Sequence, residues 1–137
     1  KIDINFDMPI KNIGIIKDDS LLKQYYSAAD VFILPSRQDN LPGTGIESQA
    51  CGTPVVAFRC GGMSDIINHH VTGSLAKPFD PFSLANEIKW TLENEDRLKR
   101  LSSSSRKFAE QNLNQKRISI MLADHYRKVI DNFWKKN

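Results

Sequence analysis

An α/β fold with a parallel sheet flanked by helices, ending in a helical tail, follows from three features of this sequence. Short apolar runs alternate with segments of helical periodicity. Two of those runs, V-F-I-L at 31–34 and V-V-A-F at 55–58, are apolar throughout, as strands covered on both faces are. The joints are short and carry Gly, Pro and Asn, as connections in βα units do. The 137 residues are enough for one domain with a real core, and hydrophobic and charged fractions of 40% and 26% are ordinary for a soluble globular chain.

Taken in order, residues 2–6 alternate apolar and polar and suggest a strand. Residues 12–16 read as a short strand followed by a turn. Asp18 or Asp19 can cap a helix over 20–28, with Leu21, Leu22, Tyr25, Tyr26 and Ala29 at helical spacing. The buried strand 31–34 follows at once. A helix over 44–51 is stopped by Gly52 and Pro54, and the strand 55–58 comes next. Gly61-Gly62 forms a second glycine turn, 64–67 a helical turn and 73–77 a strand. Asp80-Pro81 is an N-cap followed by proline at the first helical position. It opens a helix over 81–93 that is expected to bury Phe82, Leu84, Ala85, Ile88 and Leu92. A helix over 95–111 carries Leu98, Leu101 and Phe108, with Ser102 to Ser105 as a polar face. The last helix, 115–134, puts Ile118, Met121, Leu122, His125, Tyr126, Val129 and Phe133 on one stripe. There are no internal repeats.

Composition excludes several functions. No apolar run approaches the roughly 20 residues that span a bilayer. No signal peptide is visible, although Lys1 is not a natural start and the true N-terminus is expected upstream. Cys51 and Cys60 lack metal-ligand spacing and read as small buried apolar residues, which points to the cytoplasm. Net charge is +3, with Lys and Arg concentrated in the last third. A solvated helical face is the ordinary reading. The sharper one is attraction to an anionic membrane surface, placing the protein peripherally at its inner face. Nucleic acid is not expected, because no reader motif or aromatic-interleaved basic strand is present.

The chemistry gathers at 37–52, R-Q-D-N-L-P-G-T-G-I-E-S-Q-A-C-G. A strand, a glycine-bearing turn and a helix start make an anion site, because the first amides of a helix lack internal partners and the helix dipole adds positive charge there. Asp39 and Glu47 flank the turn, and carboxylates beside a phosphate site suit sugar hydroxyls. Glu47 is expected in the first turn of the helix, where T-G-I-E also fits a capping box onto the Thr44 amide. Asp-Asn and Asn-x-Pro-Gly favour turns in any protein.

This stretch, with A-A-D-V-F-I-L-P-S before it and C-G-T-P-V-V-A-F, C-G-G-M-S-D-I-I and H-V-T-G-S-L-A-K-P-F-D after it, resembles the family 4 glycosyltransferases over residues 12–93. Each piece alone is weak, but their order and spacing are specific. The resemblance implies a Rossmann-like, donor-binding C-terminal domain of a GT-B enzyme over 1–137. The N-terminal domain, and the opening strand and helix of this one, would lie outside the chain. It implies transfer of a hexose from a UDP- or GDP-sugar, with retention, to a surface-glycan or lipid-linked acceptor held by the other domain, and no cofactor or metal.

By the same resemblance, Asp39 holds the first acidic position, where Glu is usual, and contacts the sugar hydroxyls. Glu47 holds the second and contacts the ribose. Asn40, Leu41, Pro42, Gly43, Thr44 and Gly45 line the donor phosphates, with the amides of Gly43, Thr44 and Gly45 as donors. Gly61, Gly62 and Asp65 match a later G-G-x-x-E segment. His69 and His70 sit in a surface turn without a paired carboxylate and are not expected to bind metal. His125 reads as part of a packed helix face and Arg37 as a surface residue.

Two rivals stand beside this reading: a non-catalytic nucleotide-binding or regulatory module, and a GT-B epimerase or phosphorylase relative. The stripe on the last helix is expected to be partly bare in this chain, which invites a homodimer.

Overall fold

The computed structural model describes residues 8–136 of the chain. The strand suggested for 2–6 lies outside them. Helix α1 (Asp19–Ala28) is capped by Asp18, whose carboxylate accepts the amides of Ser20 and Leu21. Strand β1 (Phe32–Leu34), helix α2 (Gly43–Ala50) and strand β2 (Val55–Phe58) follow. Then come the short helix α3 (Met63–Ile66), strand β3 (Gly73–Ala76) and helices α4 (Pro81–Leu92), α5 (Glu95–Asn112) and α6 (Gln115–Lys136).

The strands form one parallel sheet in the order β1-β2-β3, with Phe32 opposite Val55 and Val55 opposite Gly73. All residues of β2 and β3 are buried. Val55, Ala57, Met63, Ile66, Ile67 and Leu75 make the core, with Phe32, Leu34, Ile46 and Leu113 packed against it. The loops after β1 and β2 therefore lie side by side beyond the carboxyl ends of adjacent strands, where parallel sheets place their ligands.

Several expectations are corrected. Residues 12–16 are not a strand: Asn12 Oδ1 accepts the Gly14 amide at 2.9 Å, and Gly14 adopts a φ of 65°, which turns the chain. Strand β1 is only half-buried, with Ile33 exposed, because among the described residues it has a neighbour on one side alone. Helix α4 does not bury Phe82, which is 82% exposed, nor Ala85 or Leu92. It meets β3 through Thr91, whose hydroxyl lies 3.3 Å from that of Ser74, with Leu84 and Ile88 half-buried on the same face. The serine run is not a wholly polar face: Ser105 is fully buried, and its hydroxyl donates to the Ser102 carbonyl as α5 packs on the domain. Cys51 and Cys60 are half-buried free thiols rather than core residues. On α6, His125 is exposed rather than packed, whereas the stripe is bare as expected, with Met121, Leu122, Tyr126, Val129 and Phe133 exposed. No helix among the described residues is long and apolar enough to cross a membrane.

Candidate functional site

The turn between β1 and α2 is shaped by its own side chains. Asp39 Oδ1 accepts the Leu41 amide at 3.1 Å, which folds the chain back toward α2. Pro42 is buried and stands at the N-cap, so α2 begins at Gly43 with no side-chain cap. The Pro42 carbonyl accepts the amides of Gly45 and Ile46 at 3.1 and 3.2 Å. Gly45 is thus not a free donor, contrary to expectation, because it has entered the first helical turn. The amides of Gly43 and Thr44 have no partner among the described residues, and both residues are exposed.

The neighbouring glycine turn is locked to this one. The Gly62 amide donates to the Asp39 carbonyl at 2.9 Å. A Cβ on Gly61 would lie 2.1 Å from that carbonyl oxygen, and one on Gly62 would lie 1.7 Å from the Asn40 oxygen. Gly61 also takes a φ of 52°. These glycines are required by backbone contact between two loops, a stronger constraint than the turn geometry the sequence suggests. The Cys60 thiol adds a 3.3 Å contact to the Ser36 carbonyl. Nearby, the Arg37 guanidinium lies 5.2 Å over the Phe79 ring. Asp65 is exposed on α3.

Glu47 lies beyond the first turn of α2, because the helix starts before Thr44. The capping box onto Thr44 therefore does not form. Instead Glu47 Oε2 accepts a hydrogen bond from the Tyr26 hydroxyl at 3.3 Å. Burial first, and then the Glu47 charge, push the Tyr26 phenol up to about 12. Glu47 and Tyr26 line a cleft of about 360 Å³ between α1 and α2, together with Leu22, Lys23 and Cys51. Asp39 does not line that cleft; its carboxylate faces its own turn. Sequence reading placed Tyr26 only among helix apolar positions. Nothing in the sequence shows that α1 and α2 touch, so no signal there pairs Tyr26 with Glu47.

Structure also supplies the carboxylate that His69 and His70 lack in sequence. Glu87 Oε2 lies 2.8 Å from His70 Nε2, and the three residues' ligand atoms fall within 4.8 Å of one another. As folded, the three side chains are joined by hydrogen bonding and ring contact. The two imidazole centroids lie 3.7 Å apart with 30° between planes. His69 Nδ1 accepts the Leu75 amide at 3.0 Å, which leaves the ring proton on Nε2. Burial and the neighbouring His70 hold His69 below its ordinary pKa.

A parallel sheet with interlocked glycine turns beyond its carboxyl ends and an uncapped helix start beside two acids defines a Rossmann-like domain of the GT-B glycosyltransferase kind. The chain belongs to the family described as glycosyl transferases group 1, whose sequence profile matches residues 9–108. It is 38% identical over 84 residues to a D-inositol 3-phosphate glycosyltransferase of Thermobispora bispora, a match covering 61% of this chain and 20% of the relative. The chain thus spans about a fifth of the length of that curated relative. The sucrose-phosphate synthase of Thermosynechococcus elongatus has a similar structure, with a TM-score of 0.74 and 32% identity over 84% of this chain and 29% of that one. HepE of Anabaena, solved in complex with UDP-glucose, gives a TM-score of 0.70 and 26% identity over 78% of this chain and 30% of its own.

Proposed function

We propose that this chain binds the nucleotide-diphosphate sugar of a retaining hexosyltransferase and works as one part of a longer enzyme. The observation that carries the proposal is the pair of unpartnered amides, Gly43 and Thr44, at the start of α2 between Asp39 and Glu47. The donor pyrophosphate sits against those amides, with Asn40, Leu41 and Pro42 setting the path of the turn. Negative charge growing on the departing diphosphate is stabilised by amides already in place. Asp39 keeps Oδ2 for a sugar hydroxyl, since Oδ1 holds the Leu41 amide. Glu47 keeps Oε1 for the ribose, since Oε2 holds Tyr26. The likeness to HepE favours a UDP-sugar over a GDP-sugar. The acceptor, a glycan or lipid-linked sugar, is held by another domain. No divalent ion is required, because the amides supply the electrostatics.

Calorimetry with UDP, GDP and ADP tests this reading. UDP should bind this chain weakly, and Glu47→Ala should weaken it further. Equal affinity for wild type and variant would remove Glu47 as the ribose ligand.

One finding favours a peripheral membrane position for the protein. Helix α6 exposes Leu122, Tyr126, Val129 and Phe133 on one face and carries Arg117, Arg127, Lys128 and Lys135 on its other side. Sedimentation with anionic vesicles tests it. The same helix could instead pair with a second copy, and concentration-dependent light scattering separates the two.

A further inference from the structure

The described residues hold a second cleft, at the end of the sheet away from the glycine turns. His70 sits just before β3, and Trp90 lies in the last turn of α4. The cleft has a volume of about 460 Å³, and His70, Trp90, Asn94, Arg97, Arg100 and Ser104 are among its walls. No Asp or Glu lines it.

Its cationic wall is one face of α5. Asn94, the N-cap, accepts the Arg97 amide through Oδ1 at 2.8 Å, which leaves its Nδ2 donors for other use. Arg97, Arg100 and Ser104 follow at helical spacing and point the same way. Arg97 is built in: its side chain is 17% exposed, and its guanidinium lies 4.2 Å over the Trp90 ring. The Trp90 ring is itself stacked on His70 at 3.7 Å and 20°. Arg97 forms a long i,i+4 ion pair with the exposed Glu93 carboxylate at 3.6 Å, with no hydrogen bond between them. Arg100 makes no ion pair or hydrogen bond among the described residues. Arg100, with no acid paired to it, and Arg97, pre-positioned by stacking and only loosely paired with the exposed Glu93, suit a dianion with several acceptor oxygens.

We propose that this cleft binds a phosphate monoester, with Arg97 and Arg100 gripping the phosphate and Asn94 Nδ2 and Ser104 Oγ donating to the same group or to what it carries. The volume admits a phosphorylated small molecule and not only the bare ion. The site is separate from the Gly43–Thr44 turn, so it would serve an effector or a second ligand rather than the sugar donor.

The protein contains its own reporter. Of its two tryptophans, Trp90 lines the cleft and Trp134 lies on α6, so Trp134→Phe leaves Trp90 alone. Inorganic phosphate is titrated into that variant at an ionic strength held constant with chloride. The expected result is a saturable change in Trp90 emission. Arg100→Gln, at an exposed position, should weaken the apparent affinity by about tenfold or more. Glu47→Ala should leave the curve unchanged, which separates this cleft from the donor site. Phosphatidic-acid vesicles form a second arm: an Arg100-dependent change there alone would make the phosphate that of a lipid headgroup. Curves that do not saturate in either arm, or that are the same with Arg100→Gln, would overturn the proposal.

Discussion

The Tyr26 phenol donates to Glu47 Oε2 at 3.3 Å and is the one side-chain hydrogen bond described between α1 and the acid on α2. It ties an acid on the candidate donor site to a neighbouring helix. Tyr26→Phe keeps the ring and removes the donor. We expect roughly threefold weaker UDP binding by calorimetry, because one modest charge-assisted hydrogen bond is lost from a partly solvated acid.

The same phenol predicts a pH effect. Its folded-state pKa, near 12, lies above the ordinary tyrosine value of 10. The folded state therefore holds this proton more tightly than the unfolded state does. The stabilisation is fully present below about pH 10 and is lost as pH rises toward 12. Urea midpoints should fall more steeply across that interval in wild type than in Tyr26→Phe.

His69 works in the opposite direction at acid pH. Burial and His70 lower its pKa, and Glu87 opposes them only in part. Its contribution is present above the ordinary value of about 6.5 and is lost as pH falls below that. Protonation also removes the Nδ1 acceptor from the Leu75 amide. Replacing His69 with Asn keeps an acceptor that does not titrate, and should flatten the acid limb of a thermal-denaturation profile.

Two glycines should respond in opposite ways. Gly43→Ala meets nothing within 4 Å and stiffens the unfolded chain, so stability should hold or rise by about 0.4–1 kcal/mol. Gly62→Ala drives a methyl into the Asn40 carbonyl and should cost about 3 kcal/mol or more, with loss of nucleotide binding. Chemical denaturation of both variants checks the contrast.

What could be read from the sequence were the features that act over a few residues. Asp80 announces its helix and Asp18 is one of the two residues offered for α1, and each carboxylate does cap the first amides of its helix. The apolar run at Val55–Phe58 forms the buried central strand. What stayed hidden depends on which elements meet. Glu87 lies 17 residues from His70, and only the packing of α4 beside β3 joins them. Thr91, not Leu92, faces the sheet, where its hydroxyl meets that of Ser74 across the interface. Ser105 is buried by α5 docking, which no local pattern records. At the candidate site, the motif located the turn but not the hydrogen bonds that occupy Gly45 and steer Glu47 toward Tyr26.

The contact of Gly61 and Gly62 with the backbone of Asp39 and Asn40 has a consequence for how such a domain can diverge. A side chain at Gly61 or Gly62 would collide with the backbone of the other loop unless that backbone moved. Changes in the segment around Asp39 that retune what it recognises would have to arrive together with changes more than 20 positions downstream, as one inherited unit.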